Sequence, residues 1–279
     1  MKKILFIIIF MFLFVSRVNA VELNPDVNIS EEGYEKLSEF MSETEMGLIT
    51  QEIYDTFMNS NVVAYQSMIV ETVYYEPIAQ MPQIISERTM TVDEFANSPV
   101  TTETECFFNV TYDSYECETN MKHLILLVKE DEGDVSFEFY NNWKSMPKYK
   151  SFDVIGMRWT GNFSYYSYYG EQYTNGNSGV IEYYSGNGNY KFGTNAIGLS
   201  QNLVDSATQI QSRLLLVGEC TTGGTVYASY QHAQANITLA TSKKYNFSSS
   251  GMGNVFGFYD GVGSYYDNTI GLSEIYTCS

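Results

Sequence analysis

Apolar residues recur at helical spacing near the start of the chain, and a Ser or Thr stands before each short run. The capping residues and the positions that follow them are Ser30 with Tyr34, Leu37 and Met41, Ser42 with Glu45, and Thr50 with Ile53 and Phe57. A hydroxyl before an apolar run spaced by three and four is typical of an N-capped amphipathic helix. Helices this short are not stable alone. The pattern therefore predicts a helical segment over residues 21–60 that either packs on a larger domain or forms a small module beside it.

The period changes from helical to alternating after Asn61. Val135, Phe137 and Phe139 alternate with polar or less apolar residues, as a strand with one buried face requires. The apolar run 124–128 precedes them, and the acidic tetrapeptide 131–134 lies between the two runs. This arrangement predicts a β-hairpin with an acidic turn. The tetrapeptide lacks the ligand spacing of a calcium loop, so we predict no metal there.

Glycine marks the second half of the chain, since 18 of the 21 glycines lie from Gly156 onward among Tyr, Ser, Thr and Asn. The runs between these turn signals include 180–184, 214–217, 225–230 and 236–240, whereas 202–213 also fits one face of a helix. Many short strands between regular turns are typical of a sandwich or barrel. We predict a mainly β fold, with an antiparallel, jelly-roll-like β-sandwich over residues 61–279.

The N-terminus has the pattern of a signal peptide. Lys2 and Lys3 precede an apolar run from Ile4 to Val15, and Val18-Asn-Ala20 supplies small residues for cleavage. The run has 12 residues, whereas about 20 are needed to span a bilayer. We therefore expect residues 1–20 to be removed and the remainder to be secreted to the extracellular side, with no transmembrane segment after cleavage.

The chain is acidic, with a formal charge of −18 that becomes −21 when Lys2, Lys3 and Arg17 are removed with the leader. Such a surface repels nucleic acid and anionic lipid, so no nucleic-acid partner is expected. Most of the excess acid precedes Lys122. It either attracts cations and basic partners or simply keeps a secreted protein in solution.

Four cysteines in an exported chain favour two disulfides over free thiols. They are Cys106, Cys117, Cys220 and Cys278, and three pairings are possible. We favour Cys106 with Cys117, which bracket a short segment, and Cys220 with Cys278, which ties the chain end to the body. A zinc site is disfavoured because the spacing contains no Cys-x-x-Cys.

No catalytic or cofactor motif is present. The chain has two histidines, His123 and His232, with no nucleophile elbow, no zinc-protease pattern and no phosphate-binding loop. We therefore predict no cofactor and favour a protein without enzymatic activity. Paired carboxylates are the remaining option, because glycoside hydrolysis needs only two suitably spaced acids. The candidate acids beside aromatic strands are Glu138, Asp153, Glu171 and Glu182.

An aromatic cluster is the strongest local indication of a binding surface. Its members, together with the one histidine at a predicted strand end, are Trp159, Tyr165, Tyr166, Tyr168, Tyr169 and His232. Tyrosine and tryptophan rings combine an apolar face with a polar edge, which suits a glycan or peptide surface. Alternation along a strand sends half of such residues into the core, so ordinary packing is the competing interpretation.

Several phrases from residue 135 to the C-terminus resemble small secreted β-rich proteins of Gram-positive and related bacteria. They include Trp143-Lys-Ser-Met-Pro147, Tyr227-Ala-Ser-Tyr-Gln-His232 and Leu239-Ala-Thr-Ser242. The resemblance implies a bacterial exported β domain. That group has no known activity, so it assigns no role to any residue.

Three functional hypotheses follow. The leading one is a non-enzymatic extracellular binding or surface-interaction protein, whose expected partner is an extracellular glycan or a cell-surface protein. The alternatives are a secreted glycan hydrolase that uses paired carboxylates and a pore-forming, toxin-like β protein.

Overall fold

The computed structural model describes residues 27–75, 83–97, 117–175, 179–248, 254–268 and 270–278. Antiparallel strands make up most of this part of the chain, and short helices precede them. The prediction of a mainly β chain with antiparallel sheets and an N-terminal helical segment is confirmed. The predicted leader lies outside the described residues.

The sequence patterns located the caps of the first three of the five short helices that are described. Their bounds are α1 Glu31–Ser38, α2 Glu43–Met46, α3 Gln51–Asn59, α4 Val92–Asn97 and α5 Leu239–Ser242. The Ser30 side chain accepts a hydrogen bond from the Gly33 N–H at 3.0 Å, and Thr50 accepts one from Ile53 at 3.5 Å. These bonds satisfy N–H groups that a helix cannot pair internally.

The larger sheet has seven described strands in the order β2-β1-β3-β4-β10-β6-β7. Their bounds are β1 Val62–Tyr75, β2 Gln83–Met90, β3 Cys117–Asp131, β4 Asp134–Ser145, β6 Asn162–Thr174, β7 Gly179–Tyr183 and β10 Ile210–Thr222. The predicted acidic hairpin joins β3 to β4. Glu132 and Gly133 form its turn with φ of 50° and 95°, the left-handed geometry of tight hairpin turns.

The smaller sheet has five described strands in the order β14-β11-β5-β9-β8. Their bounds are β5 Phe152–Trp159, β8 Tyr190–Gly193, β9 Ala196–Asn202, β11 Gly224–Gln231 and β14 Ile270–Tyr276. A separate pair, β12 Tyr245–Phe247 with β13 Phe256–Phe258, packs against Val154 of the smaller sheet.

Two hydrophobic clusters lie on opposite faces of the larger sheet. The first joins both sheets and includes Leu126, Phe139 and Leu214 from the larger with Ile155, Leu199 and Ala228 from the smaller. The second lies on the other face, which we call the outer face, where Leu37, Ile53 and Phe57 of the helices cover Ile125 and Leu127 of β3. The helical segment is therefore held by burial, which is worth about 1.5–3 kcal/mol for each large side chain.

Two local predictions are corrected. Residues 236–240, which were predicted as a strand, instead lead into helix α5, because the Thr238 hydroxyl caps the N–H of Thr241 at 3.2 Å. In the ambiguous stretch 202–213, β10 begins at Ile210 and no helix forms.

The predicted disulfide between Cys220 and Cys278 is confirmed. It joins the end of β10 to the residues after β14, and so ties the C-terminus to the larger sheet. Cys117 begins β3, whereas Cys106 lies outside the described residues, and so does the predicted Cys106–Cys117 pair.

Candidate functional site

The outer face of the larger sheet is covered over β1, β3 and β4 by the helices, and it opens toward β7. Arg213 of β10 lies opposite Glu171 of β6, which in turn lies opposite Glu182 of β7. Directly opposed residues point to the same face. The side chains of these three strands therefore form the open part of the outer face.

Arg213 is the centre of an ionic cluster, the Arg213 cluster, with Glu52, Glu138, Glu171 and Lys129. Its guanidinium donates to Glu171 at 2.8 Å, lies 3.2 Å from Glu52 and also bonds Glu138. The planar fork of arginine suits several carboxylates at once. The cluster joins helix α3 to four neighbouring strands, β3, β4, β10 and β6.

Glu138 is fully buried and remains ionised. Burial alone would raise the pKa of its carboxyl, but Arg213 and Lys129 outweigh that effect and lower the pKa below its ordinary value. Lys129 lies 2.7 Å from one carboxylate oxygen, and the Tyr140 hydroxyl donates to the other at 2.6 Å. Both oxygens thus have partners.

Glu52 is the acid of the cluster that titrates near neutrality. Burial raises the pKa of its carboxyl to about 7, and Arg213 opposes that shift. The Gln211 side-chain amide also donates to this carboxylate. The cluster therefore contains one carboxylate that is held ionised and one that changes protonation between pH 6 and 8.

Aromatic side chains lie beside the Arg213 cluster, on its side toward β7. The Tyr173 hydroxyl donates to Glu171 at 2.5 Å. The Tyr169 and Tyr184 rings lie 6.4 Å apart between centroids. Tyr184 is 59% exposed and Val180 is 47% exposed, and Glu182 between them is exposed. We call Tyr169, Val180, Glu182 and Tyr184 the tyrosine patch.

The arrangement combines a flat, partly apolar surface with carboxylate acceptors at its side. Tyrosine rings offer apolar faces to a ligand, and carboxylates accept hydrogen bonds from hydroxyl or ammonium groups. Among the described residues, no group of three or more His, Cys, Asp or Glu side chains is arranged to hold a metal ion. The cations that balance the cluster are Arg213 and Lys129.

The structure brings three of the four candidate acids to this face. Glu138 and Glu171 share Arg213, and Glu182 lies opposite Glu171. Asp153 lies elsewhere, buried between the sheets, where it accepts from the Tyr230 hydroxyl at 2.5 Å.

The candidate aromatic residues divide among different surroundings. Tyr169 lies on the outer face together with Glu171 of the same strand. The register passes from Val217 opposite Ser167 to Gly218 opposite Tyr165, so Tyr166 is the extra residue of a β-bulge. Tyr166 is exposed and donates to Asp134 at 2.6 Å.

The bulge shifts the alternation along β6 and turns Tyr165 and Tyr168 toward the core side, where Trp159 of β5 also lies. Trp159 is 4% exposed, and its indole N–H donates to the Phe163 carbonyl at 3.1 Å. Tyr165 packs against Trp159 and Tyr168, with ring centroids 5.7 Å and 5.9 Å away. Packing therefore accounts for these three rings.

His232 is buried rather than displayed. Its Nδ1 lies 3.0 Å from Asp153, and its ring meets the edge of Trp143 at a centroid distance of 5.0 Å. Within the described part of the chain, His232 belongs to a polar network between the two sheets.

Sequence reasoning missed Arg213, Glu52 and Tyr184. Arg213 did carry a signal, because a cation inside the apolar run 210–217 needs a buried partner. Glu52 and Tyr184 carried none, since one lies in a helix and the other lies between a strand and a turn.

No family model matches the sequence, and no curated protein matches it. One similar solved structure is described as the complete structure of manganese lipoxygenase of Gaeumannomyces graminis and partial structure of zonadhesin of Komagataella pastoris. It is 9% identical to this chain with a TM-score of 0.30, and the match covers 78% of this chain and 83% of that chain. A structure named BspA_C_WT is 8% identical with a TM-score of 0.27, covering 59% of this chain and 79% of its own. The C-terminal domain of the AgI/II polypeptide BspA of Streptococcus agalactiae is 8% identical with a TM-score of 0.26 and the same coverage. Likenesses this weak carry no argument about function.

Proposed function

We propose that the chain is a secreted, non-enzymatic binding protein whose tyrosine patch binds a neutral glycan. The observation that carries the proposal is the pair of rings formed by the half-buried Tyr169 and the exposed Tyr184, beside carboxylates on the open part of the outer face. We further propose that the two sheets form a jelly-roll-like sandwich, with the leader directing export.

Ring and carboxylate together fit the chemistry of a sugar. The C–H face of a pyranose packs on an aromatic ring, and its hydroxyls donate to acceptor oxygens. Glu182 is exposed beside the rings. The Tyr169 ring is held in place, since its hydroxyl forms hydrogen bonds with Glu171 and Glu182.

Charge selects a neutral ligand over an anionic one. The chain carries a formal charge of −18, which repels acidic polysaccharides at long range. Within the described residues, Arg213 faces the ligand side of the site but is held by three carboxylates. It therefore offers little attraction to an acidic sugar.

A glycan array with the mature chain tests the proposal. We expect binding to neutral glycans that falls at least tenfold in Tyr169→Ala and Tyr184→Ala, because each removes a stacking face. Tyr34→Ala and Tyr259→Ala are matched controls, since these tyrosines are 43% and 48% exposed at other places. Equal loss in the controls, or binding that the patch variants leave unchanged, would contradict the proposal.

A glycan hydrolase is the second candidate, and the titration of the Arg213 cluster favours it. Glu52 has a pKa of about 7 while that of Glu138 is lowered, and a pair separated in this way resembles a general acid with an ionised partner. Binding is preferred because Arg213 bonds both carboxylates. Release of reducing ends from a bound glycan, abolished by Glu52→Gln, would establish the hydrolase instead.

A further inference from the structure

Lys122 and Asp267 form an ion pair that is sealed between the two sheets. Each side chain is 1% exposed, and Lys122 Nζ bonds Asp267 Oδ2. Lys122 lies in β3, and Asp267 directly follows the bridge between Ala233 and Tyr266 and precedes β14. A buried ion pair of this kind is costly to desolvate and is weak evidence for stability, which leaves another role open.

The surroundings of the pair are apolar on one side and hold a hydrogen-bond donor on the other. The rings of Trp143 and Tyr230 have their centroids 6.0 Å and 5.9 Å from Nζ. The backbone N–H of His232 donates to Asp267 Oδ1 at 2.8 Å. One carboxylate oxygen thus contacts the lysine, and the other is polarised by a fixed amide.

A second acid, Glu87, interacts electrostatically with both members of the pair. Glu87 of β2 is opposite Thr72, whose hydroxyl donates to it at 3.2 Å. Burial and the charge of Asp267 raise the pKa of Glu87 to about 7, while Lys122 lowers it. A carboxyl with this pKa exchanges protons readily near neutrality.

We propose that Lys122 and Asp267 condense to an intramolecular amide bond, with Glu87 carrying the proton. A proton passes from the ammonium to Oδ2, and the neutral amine nitrogen attacks Cγ of the resulting acid. The negative charge that develops on Oδ1 is stabilised by the N–H of His232. The Glu87 carboxylate then takes a proton from nitrogen and delivers it to the hydroxyl at Oδ2.

The C–O bond to that hydroxyl breaks, and water leaves. Ammonium and carboxylate thereby become one amide and one water, with no change in net charge and no oxidant. Glu87 ends in the state in which it began. Two ions that were costly to bury are replaced by a neutral group.

The bond fixes the C-terminal strand at both ends. Asp267 precedes Ile270, where β14 begins, and Cys278 follows its end at Tyr276 and is bonded to Cys220. Among the described strands, β14 lies at the edge of its sheet and pairs with β11. With the amide and the disulfide in place, both ends of this strand are covalently joined to the larger sheet.

Peptide mapping of the folded, exported chain by mass spectrometry tests the proposal, because the result does not depend on where the mature chain begins. After reduction and proteolysis, we expect the peptides that contain Lys122 and Asp267 to remain joined, with a mass one water below their sum. Separate peptides in the wild type would overturn the proposal. The buried pair Lys129–Glu138 is an internal control, and its peptides are expected to separate because Arg213 also holds that carboxylate.

Variants distinguish the roles of the three residues. Lys122→Met abolishes the joined peptide, and Glu87→Gln reduces its yield at least tenfold while the protein stays folded by circular dichroism. Asp267→Asn still gives a joined peptide, but the leaving group is ammonia and the mass falls accordingly by one ammonia. A full yield of joined peptide in Glu87→Gln would remove Glu87 from the reaction. If Lys122→Met does not fold, the wild-type map alone decides.

Discussion

Replacing Arg213 with Met tests whether the Arg213 cluster holds helix α3 to the larger sheet. The guanidinium side chain is 17% exposed, and its partners Glu138, Glu171 and Glu52 are 0%, 10% and 14% exposed. Methionine keeps the apolar stem but removes the charge. Glu138 retains Lys129 at 2.7 Å, whereas the other two acids lose their cation.

Removing one partner of a buried ion pair typically costs about 3–5 kcal/mol. Because the Arg213 partners are slightly exposed and Lys129 still compensates Glu138, we expect the free energy of unfolding to fall by about 3 kcal/mol. Urea unfolding at pH 7 measures the fall as a shift in midpoint at constant slope. Arg88→Met is the matched control, since Arg88 bonds Glu71 at 2.8 Å but is 51% exposed. Glu71 is 9% exposed, but its partner reaches solvent, so we expect the smaller loss of about 1 kcal/mol.

A double-mutant cycle with Glu138→Gln isolates the pairwise contribution. Residues within one buried network usually show an interaction free energy of about 0.5–3 kcal/mol. Equal effects of Arg213→Met and Arg88→Met, together with additive effects of Arg213→Met and Glu138→Gln, would refute the reasoning.

The remaining predictions concern other parts of the fold. The pKa of Glu52 is about 7 in the folded chain against an ordinary 4.5, so the folded state binds that proton more tightly than the unfolded state does. Relative to Glu52→Gln, the free energy of unfolding should therefore fall by up to about 3 kcal/mol as the pH rises from 4.5 to 7. A pH series of urea unfolding curves that runs parallel for the two proteins would contradict this. Cys220→Ser opens a loop with a sequence separation of 58 and should cost about 4 kcal/mol in the loop-entropy account, measured against the wild type in guanidinium chloride; no loss would contradict it. Gly170→Ala places a methyl group on β6 against Leu199 of β9 and should lower stability by about 1–3 kcal/mol through overpacking; thermal unfolding that is unchanged would show that the two sheets do not pack closely there.

The features that could be predicted from the sequence are local ones. Ser30, Ser42 and Thr50 mark helix starts because each cap bonds an N–H only three residues away. The acidic hairpin between β3 and β4 could be predicted for the same reason, since strand alternation and a short turn suffice.

The site itself depends on contacts between residues that are far apart in sequence. β4 and β6 both pair with β10, although β10 follows them by many residues and several strands intervene along the chain. Arg213 therefore meets Glu138 at a separation of 75 residues and Glu171 at 42. No spacing rule brings such residues together.

A single β-bulge in β6 determines which face of the sheet each aromatic residue of that strand occupies. Simple alternation pairs Tyr165 with Tyr169 on one face, but the extra residue Tyr166 puts Tyr165 and Tyr168 on the core side instead. The register depends on Gly218, where a Cβ would overlap the backbone of Ser164 and Tyr165. This close approach is visible only once the strand partners are known.

Chemical footprinting of the wild-type chain with a bound neutral glycan tests the central claim most directly. The chain is labelled with hydroxyl radicals alone and with the neutral glycan that gives the strongest array signal. We predict that labelling of Tyr184, Val180 and Tyr169 falls on binding, while that of Tyr34 and Tyr259 is unchanged. Protection at Tyr34 or Tyr259 with the patch still labelled would contradict the account, and so would the absence of any bound neutral glycan.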